Sequence, residues 1–184
     1  FVDDNFTLHP HLKELCSILY NRGIIYRCHT RSDLVTPEKA SLLAESGCEE
    51  CSLGIESADP EVLRINCKKE TVAQHKQAIR ILKEAGLKVK LYWMSGLPVE
   101  TEATIDANMR FMEETQPAKW TLSTFTPYPG CDIFANPTIY GVEITNRNWS
   151  TWWNFVFNVR GQKWEGREGY NHVLIGQTQQ QMKA

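Results

Sequence analysis

Nothing in this chain approaches the run of about 20 apolar residues that a membrane-spanning helix needs, and no basic-then-apolar leader opens it. Surplus charge is also missing. Twenty Lys and Arg stand against 22 Asp and Glu, a formal net charge of −2 over 184 residues. That gives no electrostatic case for wrapping a nucleic-acid backbone, which would need a clustered basic face. A disulfide framework is not indicated, because the six cysteines come without a secretory marker, and a reducing, cytoplasmic setting is expected. There is no initiating Met either: the chain opens on the apolar pair Phe1-Val2, and the expectation is a start inside a longer chain, mid-strand. With 42% hydrophobic and 23% charged residues, what remains is one ordinary globular domain, long enough to bury a core without staples.

Apolar, β-branched runs alternate with stretches of helical period. Phe1-Val2 reads as a strand end, and a helix is predicted over His11–Arg22 on a stripe of Leu12, Leu15, Cys16, Leu19 and Tyr20. Strands are predicted at Ile24–His29, Cys51–Ile55, Leu87–Met94 and Trp120–Phe125. Between them, helices start at Thr36-Pro37 and Asp59-Pro60, where a capping side chain precedes a Pro whose missing N–H costs nothing. The longest helix, Thr71–Ala85, and another over Thr101–Glu114 complete the series. Gly23, Gly47 and Gly86 each stop a helix just before a strand, a position that usually needs φ > 0. Five strands with four helical connections imply right-handed crossovers and a parallel sheet. A closed eightfold barrel takes about 250 residues, so the fold class is α/β, an open or partial (β/α) barrel or a doubly wound sheet. From Pro137 the texture changes to a crowded aromatic segment (Trp149, Trp152, Trp153, Phe155, Phe157, Trp164) and a polar tail. Residues 1–136 are therefore expected to form the core and 137–184 an extension, its aromatics either a small packed core or an exposed partner surface.

In parallel α/β folds, ligands gather at the carboxyl ends of strands. Those ends carry Asp3-Asp4-Asn5, Thr30-Arg31-Ser32-Asp33, Glu56-Ser57, Ser95-Gly96-Leu97-Pro98 and Thr126-Pro127-Tyr128. Carboxylates there suit an amine or sugar hydroxyls, and Arg or Lys suits a carboxylate. The competing reading is structural: Asp3 and Asp4 as turn caps, Arg31–Asp33 as an exposed bridge worth little, and Glu56 as a cap of the Ser57–Pro60 turn.

The runs Phe1-Val2-Asp3-Asp4-Asn5-Phe6, Arg31-Ser32-Asp33, Leu53-Gly54-Ile55-Glu56-Ser57, Gly96-Leu97-Pro98-Val99-Glu100-Thr101 and Pro127-Tyr128-Pro129-Gly130, in that order, resemble radical S-adenosylmethionine (SAM) enzymes. The likeness covers roughly residues 1–135 and is greatest to the branch with an N-terminal cobalamin-binding domain and to its methylthiotransferase and coproporphyrinogen-oxidase relatives. It implies a TIM-like partial barrel lacking its first βα unit, and reductive cleavage of SAM to a 5′-deoxyadenosyl radical for hydrogen abstraction or methyl transfer. It also implies a small-molecule substrate and an electron donor such as flavodoxin or ferredoxin. Carried over by position, Asp4 and Asn5 meet the methionyl amino group, Glu56 the ribose hydroxyls and Lys68 the methionyl carboxylate. Arg31 serves that carboxylate or the substrate, and Gly96 and Pro98 shape the turn against the adenine.

The chain departs from that pattern in two places. The family holds its [4Fe–4S] cluster with a C-x-x-x-C-x-x-C loop, and the only close pair here is Cys48 and Cys51. The ligands are expected upstream of Phe1, so that this stretch alone would be inactive, with no metal ligands of its own. Cys131 stands where the family more often has Thr. Cys48 is expected in a helix-to-strand turn, with Cys28 and His29 at the opposite strand ends, so a metal site is disfavoured and buried free thiols are expected. Among the histidines, His9 and His11 read as exposed and His75 as a core residue, while His29, near a strand's carboxyl end, is kept as a site candidate. Two other readings stay open: a metal-dependent barrel lyase using Asp4 and Glu56, and an inactive scaffold that binds a partner.

Overall fold

A computed structural model gives the architecture and describes residues 1, 3–148, 156–158 and 172–174. The sheet runs β1 (Tyr26–Thr30), β2 (Cys48–Glu56), β3 (Lys88–Ser95) and β4 (Lys119–Thr124). These four lie side by side in chain order as a parallel sheet, with β6 (Val156–Asn158) antiparallel beyond β4. A separate antiparallel pair joins β5 (Val142–Ile144) to β7 (His172–Leu174). The helices are α1 (Leu12–Asn21), α2 (Pro37–Glu45), α3 (Pro60–Ile65), α4 (Val72–Glu84), α5 (Glu102–Thr115) and the short α6 (Asp132–Ala135).

The capping chemistry works as its residues dictate. Thr36 accepts from the Lys39 amide ahead of Pro37, Asp59 accepts from the Glu61 and Val62 amides ahead of Pro60, and Thr71 with Gln74 forms a reciprocal capping box. Gly23, Gly47 and Gly86 all have positive φ, as their helix-stop positions require.

Two compact units divide the chain. One comprises residues 1–55, 70–92 and 110–120. Its core is the helix-facing side of β1–β3 (Tyr26, Cys28, Cys51, Leu53, Val89, Leu91) with Leu12, Cys16 and Leu19 of α1, Leu43 of α2, and His75, Ile79 and Leu82 of α4, all buried. The second comprises 56–69, 93–109 and 121–184, with Val62, Leu63, Trp93, Leu97, Val142 and Leu174 buried.

Several sequence expectations change. The strand expected at Phe1-Val2 is not formed at Phe1, whose amino nitrogen instead makes one bond to the Arg27 carbonyl at 2.9 Å; Val2 lies outside the described residues. Strand β2 begins at Cys48, before the predicted Cys51, because the chain extends directly from Gly47. Tyr20, placed in the buried stripe of α1, is 68% exposed, since it follows Leu19 and so turns about 100° off the core-facing row. The aromatic segment falls outside the described residues, apart from the backbone of β6.

Gly47 and Gly86 separate two costs of adding a side chain. Both have left-handed backbone, φ +92° and +82°, but a Cβ at Gly47 would meet the Ile24 carbonyl oxygen at 2.6 Å, whereas at Gly86 it meets nothing within 4 Å. Gly86→Ala is expected to cost about 1 kcal/mol in urea unfolding, and Gly47→Ala clearly more. Equal losses would mean the Ile24 backbone gives way freely.

Candidate functional site

In the second unit the carboxyl end of β2 carries the sharpest local signal. Glu56 sits at φ 64°, a left-handed backbone that a non-glycine side chain adopts only when its surroundings hold it there. The loop after α3 turns through Cys67 (φ 52°) and Lys69 (φ 58°), and the residue between them, Lys68, reaches back to Glu56 at 3.3 Å. The two side chains are only 17% and 23% exposed, so this pair is less screened than an ordinary surface bridge. Both line a cavity of about 280 Å³ with Leu63, Asn66, Met94, Leu97, Thr124 and Tyr128. That volume is at the small end of the ~300–1,000 Å³ of ligand pockets, and suits part of a small molecule. The side-chain cap of α3 is Asp59.

The turn after β3 belongs to the same unit. Gly96 takes φ 78° and Val99 φ 63°, the latter unusual for a β-branched residue. Glu100 folds back under this turn and accepts from the Leu97 amide at 3.2 Å. Burial pushes its carboxyl up to about 7, against the lowering effect of the Leu97 and Gly96 amides. The segment after Glu56 is anchored separately: Asn108 of α5 accepts from the Ala58 amide at 2.6 Å, and the Thr104 hydroxyl donates to Asp59 at 2.7 Å. Sequence reasoning passed over Glu100 and Asn108. A Glu four residues after Gly96 was a readable turn signal, whereas Asn108 depends on a partner 50 positions away.

In the first unit the candidates fall into two groups. Asn5 accepts from the Arg31 amide at 3.1 Å, Asp3 caps the turn at the Asn5 amide, and Asp4 is exposed. Arg31 is bidentate to Asp33, both bonds 3.0 Å, and lies 3.6 Å from Glu70. Glu70, unremarkable in its local stretch of chain, is buried and accepts from the Ser32 and Asp33 amides at 2.7 and 3.2 Å. Behind it, the Ser32 hydroxyl meets Nδ1 of the buried His75 at 2.8 Å. Arg31 is thus committed to a clamp on its own loop and is not the exposed bridge first considered.

His29 belongs to the second group. Its Nε2 lies 3.5 Å from the Tyr92 hydroxyl, with the rings edge to face at 5.6 Å. Burial first, then the Lys90 charge, lowers its pKa. The thiols require a correction: Cys28 is not at the opposite strand end from Cys48 and Cys51. It pairs in register with Cys51, and its Sγ lies 3.8 Å from Cys48 and 4.0 Å from Cys51, because β2 starts earlier than predicted. Contact with Cys28 and then burial push the Cys48 thiol far above its ordinary range. Among the described residues no group of three His, Cys, Asp or Glu is placed to hold a metal ion.

The parallel sheet, its capped helices and the polar ends of its strands are those of a known class. The Radical SAM superfamily model matches residues 1–112, and the chain belongs to that superfamily. The fold is a partial parallel α/β barrel, and the expected family and fold class are both borne out. Over 137 residues the chain is 30% identical to the anaerobic magnesium-protoporphyrin IX monomethyl ester cyclase of Rubrivivax gelatinosus, covering 72% of this chain and 25% of that protein. It is 26% identical over 137 residues to the bacteriochlorophyllide d C-12(1)-methyltransferase of Chlorobaculum tepidum, covering 73% and 30%. Among solved structures, the radical SAM methyltransferase TsrM of Kitasatospora setae, with cobalamin and a [4Fe–4S] cluster bound, superposes with a TM-score of 0.58 at 20% identity, covering 66% of this chain and 27% of that one. The chain spans about a quarter to a third of these relatives' length.

Radical SAM proteins use SAM and a [4Fe–4S] cluster, and the described residues fit these two groups differently. The Glu56–Lys68 cavity offers a carboxylate and an ammonium, groups that suit the hydroxyls and the carboxylate of a nucleoside bearing an amino acid. The described cysteines do not fit a cluster: Cys28, Cys48 and Cys51 are buried within the first unit, and Cys67 and Cys131 bring no third ligand.

Two measurements check this site. Glu100 holds its proton up to about 7 when folded, against about 4.5 as its ordinary value. Between those pH values the native state binds more protons than the unfolded state, so stability falls as pH rises through that window. The urea midpoint is expected to drop from pH 5 to pH 7.5, and Glu100→Gln to flatten the drop; identical profiles would refute the assignment. Separately, Ellman's reagent should modify the exposed Cys67 and half-buried Cys131 promptly, with Cys16, Cys28, Cys48 and Cys51 reacting only on unfolding.

Proposed function

We propose that residues 1–136 form part of the catalytic core of a radical SAM enzyme, with 137–184 an extension, and that the Glu56–Lys68 cavity receives the cofactor. The observation that carries this reading is the left-handed Glu56 paired to Lys68 on one small cavity. Strain of that kind persists where it holds a functional side chain in place. When bound with a reduced cluster, SAM supplies a carbon-centred radical by reductive cleavage; the hard chemistry is the cofactor's.

The chain's own residues bind and orient. The Glu56 carboxylate accepts from the ribose hydroxyls, and Lys68 donates to the methionyl carboxylate while fixing the Glu56 rotamer. Gly96 and Pro98 set a turn whose backbone the adenine approaches without a Cβ in the way, with Glu100 beneath holding the turn's amides. Asp4 and Asn5 are the candidates for the methionyl amino group, Asn5 also holding the Arg31 amide. Arg31, engaged with Asp33 and Glu70, acts as a positioning residue for its loop.

By likeness to the cyclase and methyltransferase relatives, the whole protein carries out radical-initiated oxidation or methyl transfer on a small molecule. A flavodoxin or ferredoxin supplies electrons in the cytoplasm, the cluster thiolates come from outside this stretch, and cobalamin is held in a separate N-terminal domain. Among the described residues no helix is long and apolar enough to cross a membrane.

The test is anaerobic reconstitution of the full-length protein with iron and sulfide, followed by dithionite reduction and measurement of 5′-deoxyadenosine. Glu56→Gln is expected to weaken SAM binding about tenfold, the scale of one lost charge-assisted hydrogen bond, with the melting temperature nearly unchanged. Unaltered affinity with a large loss of stability would make Glu56 structural. Turnover with a divalent metal and no cluster would favour the lyase reading instead.

A further inference from the structure

A parallel sheet is normally apolar on both faces, and barrel interiors are filled by branched aliphatic side chains. In the first unit one face obeys this rule. Cys28, Cys51, Leu53, Val89 and Leu91 are buried, and Tyr26 on the same row bonds Ser46 behind it. The alternate residues of the same three strands do not. Arg27 and His29 of β1, Glu50 and Ser52 of β2, and Lys90 and Tyr92 of β3 make a polar face, and their mutual contacts place them together.

Among the described residues, charge on that face is not balanced. Glu50 is shared by Lys119 at 2.6 Å and Arg27 at 4.0 Å, and Asp4 is the other carboxylate near His29. Lys90 has no carboxylate within ion-pair distance among the described residues; its ammonium rests over the Tyr92 ring, 4.7 Å from the centroid. His29 and Tyr92 meet across β2, whose residue opposite His29 is the small, buried Ser52. The result is a partly buried Lys90 beside the His29 imidazole and the Tyr92 phenol. A packed core would not leave an amine there, because an aromatic face offsets the desolvation of a cation only in part.

We propose that His29, Lys90 and Tyr92 form an anchoring site for the carboxylate of a small organic substrate with a flat, unsaturated body. Lys90 supplies the charge, the Tyr92 hydroxyl and the His29 ring hydrogen-bond the carboxylate oxygens, and the two rings receive the flat part edge-on. This moves His29 from the cofactor candidates to substrate binding. The assignment rests on the radical SAM reading only in naming the occupant a substrate; the anion site itself is independent of it.

The experiment uses the full-length protein and two probes, 2-naphthoate and its neutral amide, titrated by calorimetry alongside S-adenosylhomocysteine. The naphthoate should bind about tenfold or more tightly than the amide. Lys90→Gln should abolish that preference, and Lys90→Arg should retain most of it. S-adenosylhomocysteine affinity should be unchanged in both variants. Equal binding of naphthoate and amide, absence of naphthoate binding, or an unaffected preference in Lys90→Gln would overturn the anion site. Loss of the preference in Lys90→Arg as well would also overturn it, since it would trace the effect to packing and not to charge. If Glu56→Gln leaves S-adenosylhomocysteine binding intact while Lys90→Gln removes the naphthoate preference, the cofactor reading fails and the anion site stands.

Discussion

Side chains along a β-strand alternate between two faces, and almost everything distinctive in this protein follows from how β1, β2 and β3 use that alternation. The row containing Cys28, Cys51, Leu53, Val89 and Leu91 is buried and ties the strands to their helices. The other row, with Arg27, His29, Glu50, Lys90 and Tyr92, spends no side chain on an aliphatic core. A shift of one residue would turn Arg27 of β1, Glu50 of β2 or Lys90 of β3 into the helix-facing core, according to the strand that slipped, so the register is under strong constraint. The in-register pairing of Cys28 with Cys51 and of His29 with Ser52 is where that constraint is visible.

The strand ends add a second feature. Glu56, Cys67, Lys69 and Val99 all take left-handed backbone without being glycine, and they sit in the second unit around Lys68 and the Gly96 turn. Conformations of this kind are held by neighbours, not chosen by the residue. The holding groups can be named: Asn108 on the Ala58 amide, Thr104 on Asp59, and Glu100 on the Leu97 amide. The first unit has its counterpart in Glu70, a buried carboxylate that organises the Ser32–Asp33 turn and balances Arg31. In both units the residues that support a candidate site are polar side chains bonded to backbone amides or to a capping carboxylate.

Legibility in the sequence tracked the range of the interaction. Thr36-Pro37, Asp59-Pro60 and Thr71 with Gln74 cap helices through contacts three residues apart or closer, and all three starts were readable. So were the glycine stops and the strands that follow them. Glu56 and Lys68 could be singled out by position and by resemblance, and their 3.3 Å contact closes over only 12 residues. Glu70 lay hidden because its partners are 37 and 38 residues away. Lys90 and Tyr92 read as ordinary strand residues until His29, 63 positions from Tyr92, came beside them.

The sequence by itself determined the class of fold, the helix boundaries within a residue or two and the superfamily, because these rest on local periodicity, caps and short ordered motifs. Only the tertiary structure decided that Arg31 is spent on its own loop, that three thiols share one buried corner, and that Lys90 rests over the Tyr92 ring with no carboxylate among the described residues within ion-pair distance. Each of those facts is a meeting of side chains from strands or helices distant in sequence. Which residues meet is fixed by strand register and crossover geometry, and neither is written in any single stretch of chain.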